Sequence, residues 1–208
     1  MINLTRLYCD VAQPMDSLRY GRGHGSPAAA SERKPIVVWN ITRRCNLKCI
    51  HCYSDSDAKE YPGELNWDQC VKVIDDLAQF QIPALLLSGG EPTIHPRFDD
   101  LASYARSKGL RLTLSTNGTL IDEEKAARIK EIGFSYVGIS LDGIGATHDH
   151  FRGKTGAFDK AVRAFRNCKA VGQKVGLRLT LSRHNIDDLD QILDFIERER
   201  AGGVALED

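Results

Sequence analysis

The sequence predicts an α/β fold built on parallel strands. Three observations carry that prediction. Five short apolar, β-branched runs recur from residue 36 onward. A segment with helical periodicity follows each run. The residues able to carry chemistry cluster just after the runs, where parallel α/β folds place their active sites. A crossover helix returns the chain to the same end of a sheet, so the alternation implies parallel neighbours in a (β/α) barrel or an open sheet.

Residues 1–34 read as an N-terminal extension and linker, and residues 35–208 as the core. Gly21-Arg22-Gly23-His24-Gly25-Ser26-Pro27, then Ala28-Ala29-Ala30-Ser31, has linker composition. Before it, Leu4, Leu7, Val11 and Leu18 suit a short helix or strap. The first strand is Ile36–Ile41 and the second Ala84–Ser88. The third is Leu110–Ser115, the fourth Tyr136–Leu141 and the fifth Val175–Leu181. The runs lack clean alternation, as strands covered on both faces do.

Five helices intervene. Val71, Ile74, Leu77 and Ala78 share a face behind Asn66, an N-cap type. Phe98, Leu101 and Ala105 mark the second helix, ending near Gly109. Ala126, Ile129 and Ile132 mark the third, ending near Gly133. Ala161, Ala164, Phe165 and Cys168 mark the fourth, ending near Gly172. Leu189, Ile192, Leu193 and Ile196 mark the fifth, ending near Gly202.

The 208 residues suffice for one domain with a sizeable core. Lys+Arg and Asp+Glu balance at 28 each, so charge points to neither nucleic acid nor an anionic membrane as partner. No apolar run is long enough to span a bilayer, and Met1–Leu7 has no signal-peptide core. The expected location is cytoplasmic, where clustered cysteines mean metal or catalysis before disulfides.

Cys45-Asn46-Leu47-Lys48-Cys49-Ile50-His51-Cys52 follows the first strand with C-x3-C-x2-C spacing. Three thiolates in one loop can hold three irons of a four-iron cluster and leave the fourth open. The competing reading is a Cys3His zinc site using His51. Zinc sites favour paired C-x2-C spacings in separate segments, and adjacent residues seldom ligate one ion. Gly89-Gly90-Glu91-Pro92 follows the second strand, Thr116-Asn117-Gly118 the third, and Ser140-Leu141-Asp142-Gly143 ends the fourth. Arg178 interrupts the fifth, and a buried Arg requires an anion. Each also has a plain reading: a Gly-Gly turn, a turn-forming Asn-Gly, a small strand-end Ser, an Arg paired with Asp142. His148 and His150 fall in a polar loop, where histidines are usually solvated, and His24 falls in the linker. Cys70 and Cys168 read as small hydrophobes on helices, and Cys9 stands apart.

Taken together, these motifs resemble the radical S-adenosylmethionine (SAM) superfamily. The resemblance covers roughly residues 35–200. It implies a partial (β/α)6-type barrel of about five βα units. It also implies a [4Fe-4S] cluster on Cys45, Cys49 and Cys52. SAM would meet His51, Gly89, Gly90, Glu91, Asn117, Ser140 and Arg178. In that reading Glu91 accepts from the cofactor's ammonium group, Ser140 meets its polar edge and Arg178 its carboxylate. Asp142 is read as a turn former. Trp39-Asn40-Ile41-Thr42-Arg43-Arg44 and Leu18-Arg19-Tyr20-Gly21-Arg22 are similar to segments of enzymes that remodel siroheme-derived tetrapyrroles in heme d1 and alternative heme biosynthesis. Those enzymes act on acetate or propionate side chains, and Arg19, Arg22, Arg43, Arg44 and Arg152 are candidates to recognise such carboxylates, or are solvated charges. The implied partners are a tetrapyrrole (or a peptide) and a low-potential electron donor such as flavodoxin or ferredoxin. The rival readings are a peptide-modifying or maturase enzyme and a catalytically incomplete metal-binding fragment. Five βα units instead of six, and no cysteine-rich segment after Gly202, make a truncated or short form the expectation.

Overall fold

The computed structural model describes residues 34–201. The expectations for residues 1–33 and 202–208, including Cys9, Arg19, Arg22 and His24, lie outside them. Five parallel strands form one sheet in sequential order: β1 (Val37–Asn40), β2 (Leu85–Ser88), β3 (Leu112–Thr116), β4 (Tyr136–Ser140) and β5 (Val175–Arg178). The helices are α1 (Trp67–Gln79), α2 (Phe98–Ser107), α3 (Glu123–Ile132), α4 (Ala146–Arg152), α5 (Ala157–Ala170) and α6 (Leu189–Ala201). The sequential order of parallel strands is that of a partial barrel.

Local chemistry sets the helix ends. Asn66 accepts from Gln69 N while the Gln69 side chain accepts from Asn66 N, a reciprocal capping box that starts α1. The Asp122 carboxylate caps α3, and Gly133 ends it at φ 88°, a left-handed conformation that suits glycine. Both Asp149 oxygens accept from the first amides of α5, Gly156 N at 2.6 Å and Phe158 N at 2.8 Å.

The two faces of the sheet differ. Register places Leu87, Leu114, Val137 and Val175 in one row. With Leu85, Leu112 and Ile139 they form the strand side of the core. Helix residues Ile74, Leu101, Ala105, Ala126, Ile129, Ala161 and Ala164 pack against them. Each fully buried aliphatic side chain contributes about 1.5–3 kcal/mol. The opposite face carries Val38, Asn40, Leu86, Ser115, Ser140 and Arg178, half-buried or exposed, with Ser88 and Thr113 buried between them. Coverage on both faces was expected from the unbroken apolar runs; this face is only partly covered among the described residues. Gly138 and Gly176 sit on this open face. A Cβ on Gly138 would fall 2.5 Å from Arg178 Cδ, and one on Gly176 would fall 2.4 Å from the Tyr136 hydroxyl. Their bare backbones let those two long side chains lie across the sheet.

One helix escaped the sequence reading. The expected polar loop around His148 and His150 is α4. Its buried face carries His148, Phe151 and Arg152, so only one apolar residue marks it. His150 is exposed, as expected, but His148 is 1% exposed. Cys70 and Cys168 are buried in the core as expected, and burial pushes the Cys168 thiol up to about 12.

Candidate functional site

The C-terminal ends of β1 to β4 converge on the cysteine loop. Chain direction out of β1 is fixed by Thr42, whose hydroxyl donates to Glu64 Oε1 at 2.6 Å and accepts from Arg44 N at 3.0 Å. The loop then lies directly on Gly89 and Gly90. Gly90 N donates to Thr42 O at 2.7 Å, and Glu91 N donates to Arg44 O at 2.8 Å. A Cβ on Gly89 would stand 2.3 Å from Thr42 O, and one on Gly90 2.3 Å from Arg44 O. Gly89 also holds φ at 146°, so both steric space and conformation demand glycine there.

Each cysteine sulfur accepts hydrogen bonds. Leu47 N reaches Cys45 Sγ at 3.4 Å, with Asn117 Nδ2 at 3.9 Å. Arg152 Nη1 donates to Cys49 Sγ at 3.6 Å. Ser56 N donates to Cys52 Sγ at 3.4 Å, and the Ser54 hydroxyl lies 3.4 Å from it. Burial pushes the Cys45 thiol up to about 11 and raises that of Cys49, against the lowering charge of Arg152. At Cys52 burial pushes upward, but hydrogen bonds from Ser54 and Ser56 together outweigh it and hold the thiol below its ordinary value.

This donor set fits an iron–sulfur cluster, whose thiolate ligands characteristically accept amide and side-chain hydrogen bonds. Among the described residues no group of three or more His, Cys, Asp or Glu side chains is gathered to hold a metal ion, so neither the three cysteines alone nor the cysteines with His51 are preassembled. The His51 ring lies against Phe151 instead, with centroids 4.3 Å apart. Burial lowers the pKa of His51, keeping the ring neutral, and its buried Nδ1 has no partner among the described residues.

Glu91, expected to accept from a ligand's ammonium, is placed at the site with its carboxylate held by the protein. It has no solvent exposure, and its oxygens are engaged by the protein. Oε1 accepts from Thr93 N at 3.1 Å, Thr93 Oγ1 at 2.6 Å and Thr116 Oγ1 at 2.8 Å. Oε2 accepts from Asn117 N at 2.8 Å. Burial raises its pKa, and these four donors oppose the rise. The carboxylate stitches the end of β2 to the end of β3. Asn117 serves the same end. Its Nδ2 donates to Asn46 Oδ1 at 2.9 Å, and its Oδ1 accepts from Thr119 N and Oγ1.

Ser140 and Arg178 are register partners on the open face, half-buried, at the same end of the sheet. Asp142 is more than a turn residue. It is fully buried; Oδ1 accepts from Thr180 N at 2.7 Å and Oδ2 from Arg152 Nη2. Its backbone is held too, with N–H donating to His148 Nδ1 at 3.1 Å and O accepting from Asn185 Nδ2 at 2.8 Å. Burial, then the Arg152 charge, push the His148 pKa down to about 4.

Arg152 was expected to face substrate or solvent; it is 8% exposed and paired inside the protein. Arg43 is exposed but engaged, its guanidinium over the Tyr61 ring at 4.3 Å and Nη2 donating to Ser54 O at 3.1 Å. Arg44 is half-buried, with Nε unpartnered among the described residues. The sequence signal for the Asp142, His148, Arg152 and Asn185 network was two polar residues, His148 and Arg152, four apart after a strand. No apolar periodicity accompanied it.

Residues 39–196 match a family model described as Radical SAM superfamily. The chain is 50% identical over 205 residues to Fe-coproporphyrin III synthase of Methanosarcina barkeri, covering 96% of this chain and 51% of that protein. It is 50% identical over 166 residues to pre-heme d1 synthase of Dinoroseobacter shibae, covering 80% and 41%. It is 40% identical over 164 residues to the mycofactocin maturase MftC of Mycobacterium tuberculosis, covering 78% and 41%. The chain thus spans about half the length of the curated relatives it matches. Among solved structures, native anSMEcpe with bound AdoMet superposes with a TM-score of 0.68 at 23% identity, covering 79% of this chain and 48% of that one. Streptococcus suis SuiB bound to S-adenosylmethionine gives 0.67 at 18%, covering 78% and 38%. These structural likenesses concern the fold.

Proposed function

The chain belongs to the Radical SAM superfamily, and on that premise we propose that it holds a [4Fe-4S] cluster on Cys45, Cys49 and Cys52 and binds SAM beside it. Bound there, the pair would supply one-electron reductive cleavage of the sulfonium, giving a 5′-deoxyadenosyl radical for hydrogen abstraction. The chain's own residues bind, orient and shield. Leu47 N, Ser56 N and Arg152 donate to the sulfurs. Gly89 and Gly90 bring the β2 backbone against the loop, leaving no side chain between it and a ligand. Glu91 fixes the backbones of Asn117 and Thr93. Ser140 and Arg178, register partners at the end of the sheet, are the candidate contacts for the polar end of SAM. His51 is the further candidate contact for SAM.

The observation that carries this reading is the set of hydrogen bonds onto all three sulfurs from three segments, the cysteine loop itself, the end of β3 and α4, at one end of a parallel sheet. The substrate we propose is a siroheme-derived tetrapyrrole, remodelled at acetate or propionate side chains. The 50% identity to two relatives named for tetrapyrrole products supports it. The electron donor would be a flavodoxin or ferredoxin. A peptide substrate is the second reading, favoured by the 40% identity to a maturase.

The test is anaerobic reconstitution with iron and sulfide, reduction with dithionite, and addition of SAM. A brown protein with a reduced-cluster electron paramagnetic resonance signal that forms 5′-deoxyadenosine is expected. A colourless protein binding only zinc would overturn the assignment. Didecarboxysiroheme should then change in mass. An unchanged macrocycle beside a modified precursor peptide would move the substrate to the second reading.

A further inference from the structure

The end of α4 grips the cysteine loop along its length. Phe151 O accepts from Ile50 N at 3.0 Å, and the Phe151 ring meets His51. Gly153 approaches Lys48 so closely that a Cβ would stand 2.2 Å from Lys48 O. Lys154 Nζ donates to Asn46 O at 3.4 Å. Arg152 lies in the middle of this contact, and its three kinds of nitrogen have three situations. Nη2 is on Asp142, Nη1 is on Cys49 Sγ, and Nε is buried without a partner among the described residues.

Burying an ion pair costs desolvation that an apolar pair would not incur. A buried donor left unmade adds a further cost. Both costs are incurred at one guanidinium touching one cysteine. Asp142 orients that guanidinium, and Thr180 and Asn185 hold Asp142 in turn. A cation donating to a ligand sulfur stabilises the more reduced cluster, because the added electron is partly borne by the sulfurs.

We propose that Arg152 is a positioning residue for the cluster: it fixes Cys49 and, by donating to its sulfur, raises the reduction potential. The inference rests on the [4Fe-4S] assignment above. The buried Asp142–Arg152 pair is its support, and the unmade Nε donor is the place for a second contact to the cluster.

The reconstituted wild-type chain is titrated with dithionite and followed by electron paramagnetic resonance, each cluster gaining one electron. Arg152→Gln should lower the equilibrium constant for reduction about tenfold, a fall of about 59 mV. Arg152→Lys keeps the charge but not the fork, and should shift less than half as far. Wild-type protein carrying 15N-arginine should show an arginine nitrogen coupled to the reduced cluster by pulsed resonance, and the coupling should vanish in Arg152→Lys. A loaded Arg152→Gln with unchanged potential would overturn the proposal. So would labelled wild type without the coupling, or a coupling that survives in Arg152→Lys. Should Arg152→Gln fail to fold, the labelled pair decides. Wild type that takes up no cluster overturns the cluster assignment itself and the inference with it, a result distinct from a loaded protein indifferent to Arg152.

Discussion

Gly90→Ala tests the packing of the two-glycine step against the cysteine loop. The added methyl would sit 2.3 Å from Arg44 O and 2.6 Å from Arg43 O, both backbone atoms with no rotamer to yield. Ordinary contact begins near 3.4 Å, so the loop must retreat by about 1 Å. Two hydrogen bonds span that seam, Gly90 N to Thr42 O at 2.7 Å and Glu91 N to Arg44 O at 2.8 Å. Stretching both in a buried setting costs roughly 2–5 kcal/mol. For a chain of this size that corresponds to a fall in Tm of roughly 5–15 °C. The assay is urea unfolding followed by far-UV circular dichroism, with iron content after reconstitution as the second readout. Gly109→Ala is the control, since a Cβ there meets nothing within 4 Å and only the left-handed φ of 81° is strained. It should cost about 1 kcal/mol and leave iron uptake intact. A Gly90→Ala protein as stable as Gly109→Ala and equally loaded with iron would refute the reasoning.

His148 gives a pH-dependent contribution. Its pKa falls from 6.5 to about 4 on folding, so the unfolded chain takes the proton first. The stability it lends is complete above pH 6.5 and is lost as pH falls toward 4. Between pH 7 and pH 5 the loss is about 2 kcal/mol. His148→Gln, which keeps an acceptor for Asp142 N, should lack that part of the slope in urea titrations; equal slopes would count against it. Glu91→Gln keeps the oxygen that accepts three hydrogen bonds but turns an amide NH2 toward Asn117 N. It should cost about 1–3 kcal/mol and speed hydrogen exchange at the Asn117 amide, and unaltered exchange would exclude the role given to Oε2.

The strands were legible because Leu85-Leu86-Leu87 and Tyr136-Val137-Gly138-Ile139 carry their own propensity, and the helices because Asn66 and Gly133 punctuate them. The same runs hid which face was open: Leu86 and Val38 look like core residues in one dimension and lie on the half-exposed side. The cysteines, glycines and Asn117 were legible by spacing. The part played by Glu91 was not, because a carboxylate suited to meeting a cation is equally suited to binding backbone amides. The α4 network was illegible for a related reason. A helix that buries His148 and Arg152 has no apolar stripe to announce it, and Asp142, which satisfies Arg152, lies outside the helix in the loop after β4.

The contacts on the cysteine sulfurs also set an order of events. Cys45, Cys49 and Cys52 are neighbours in the chain, but Asn117 lies 72 residues from Cys45 and Arg152 lies 103 residues from Cys49. Contacts of such separation form late, after the loops between them have closed. During synthesis the three thiols emerge long before the residues that hold them, as a loose chelating peptide open to any thiophilic metal. If they hold the proposed cluster, the Arg152 contact that would set it apart from a stray ion forms only when α4 docks. Metal delivered before that moment meets a different ligand from metal delivered after it.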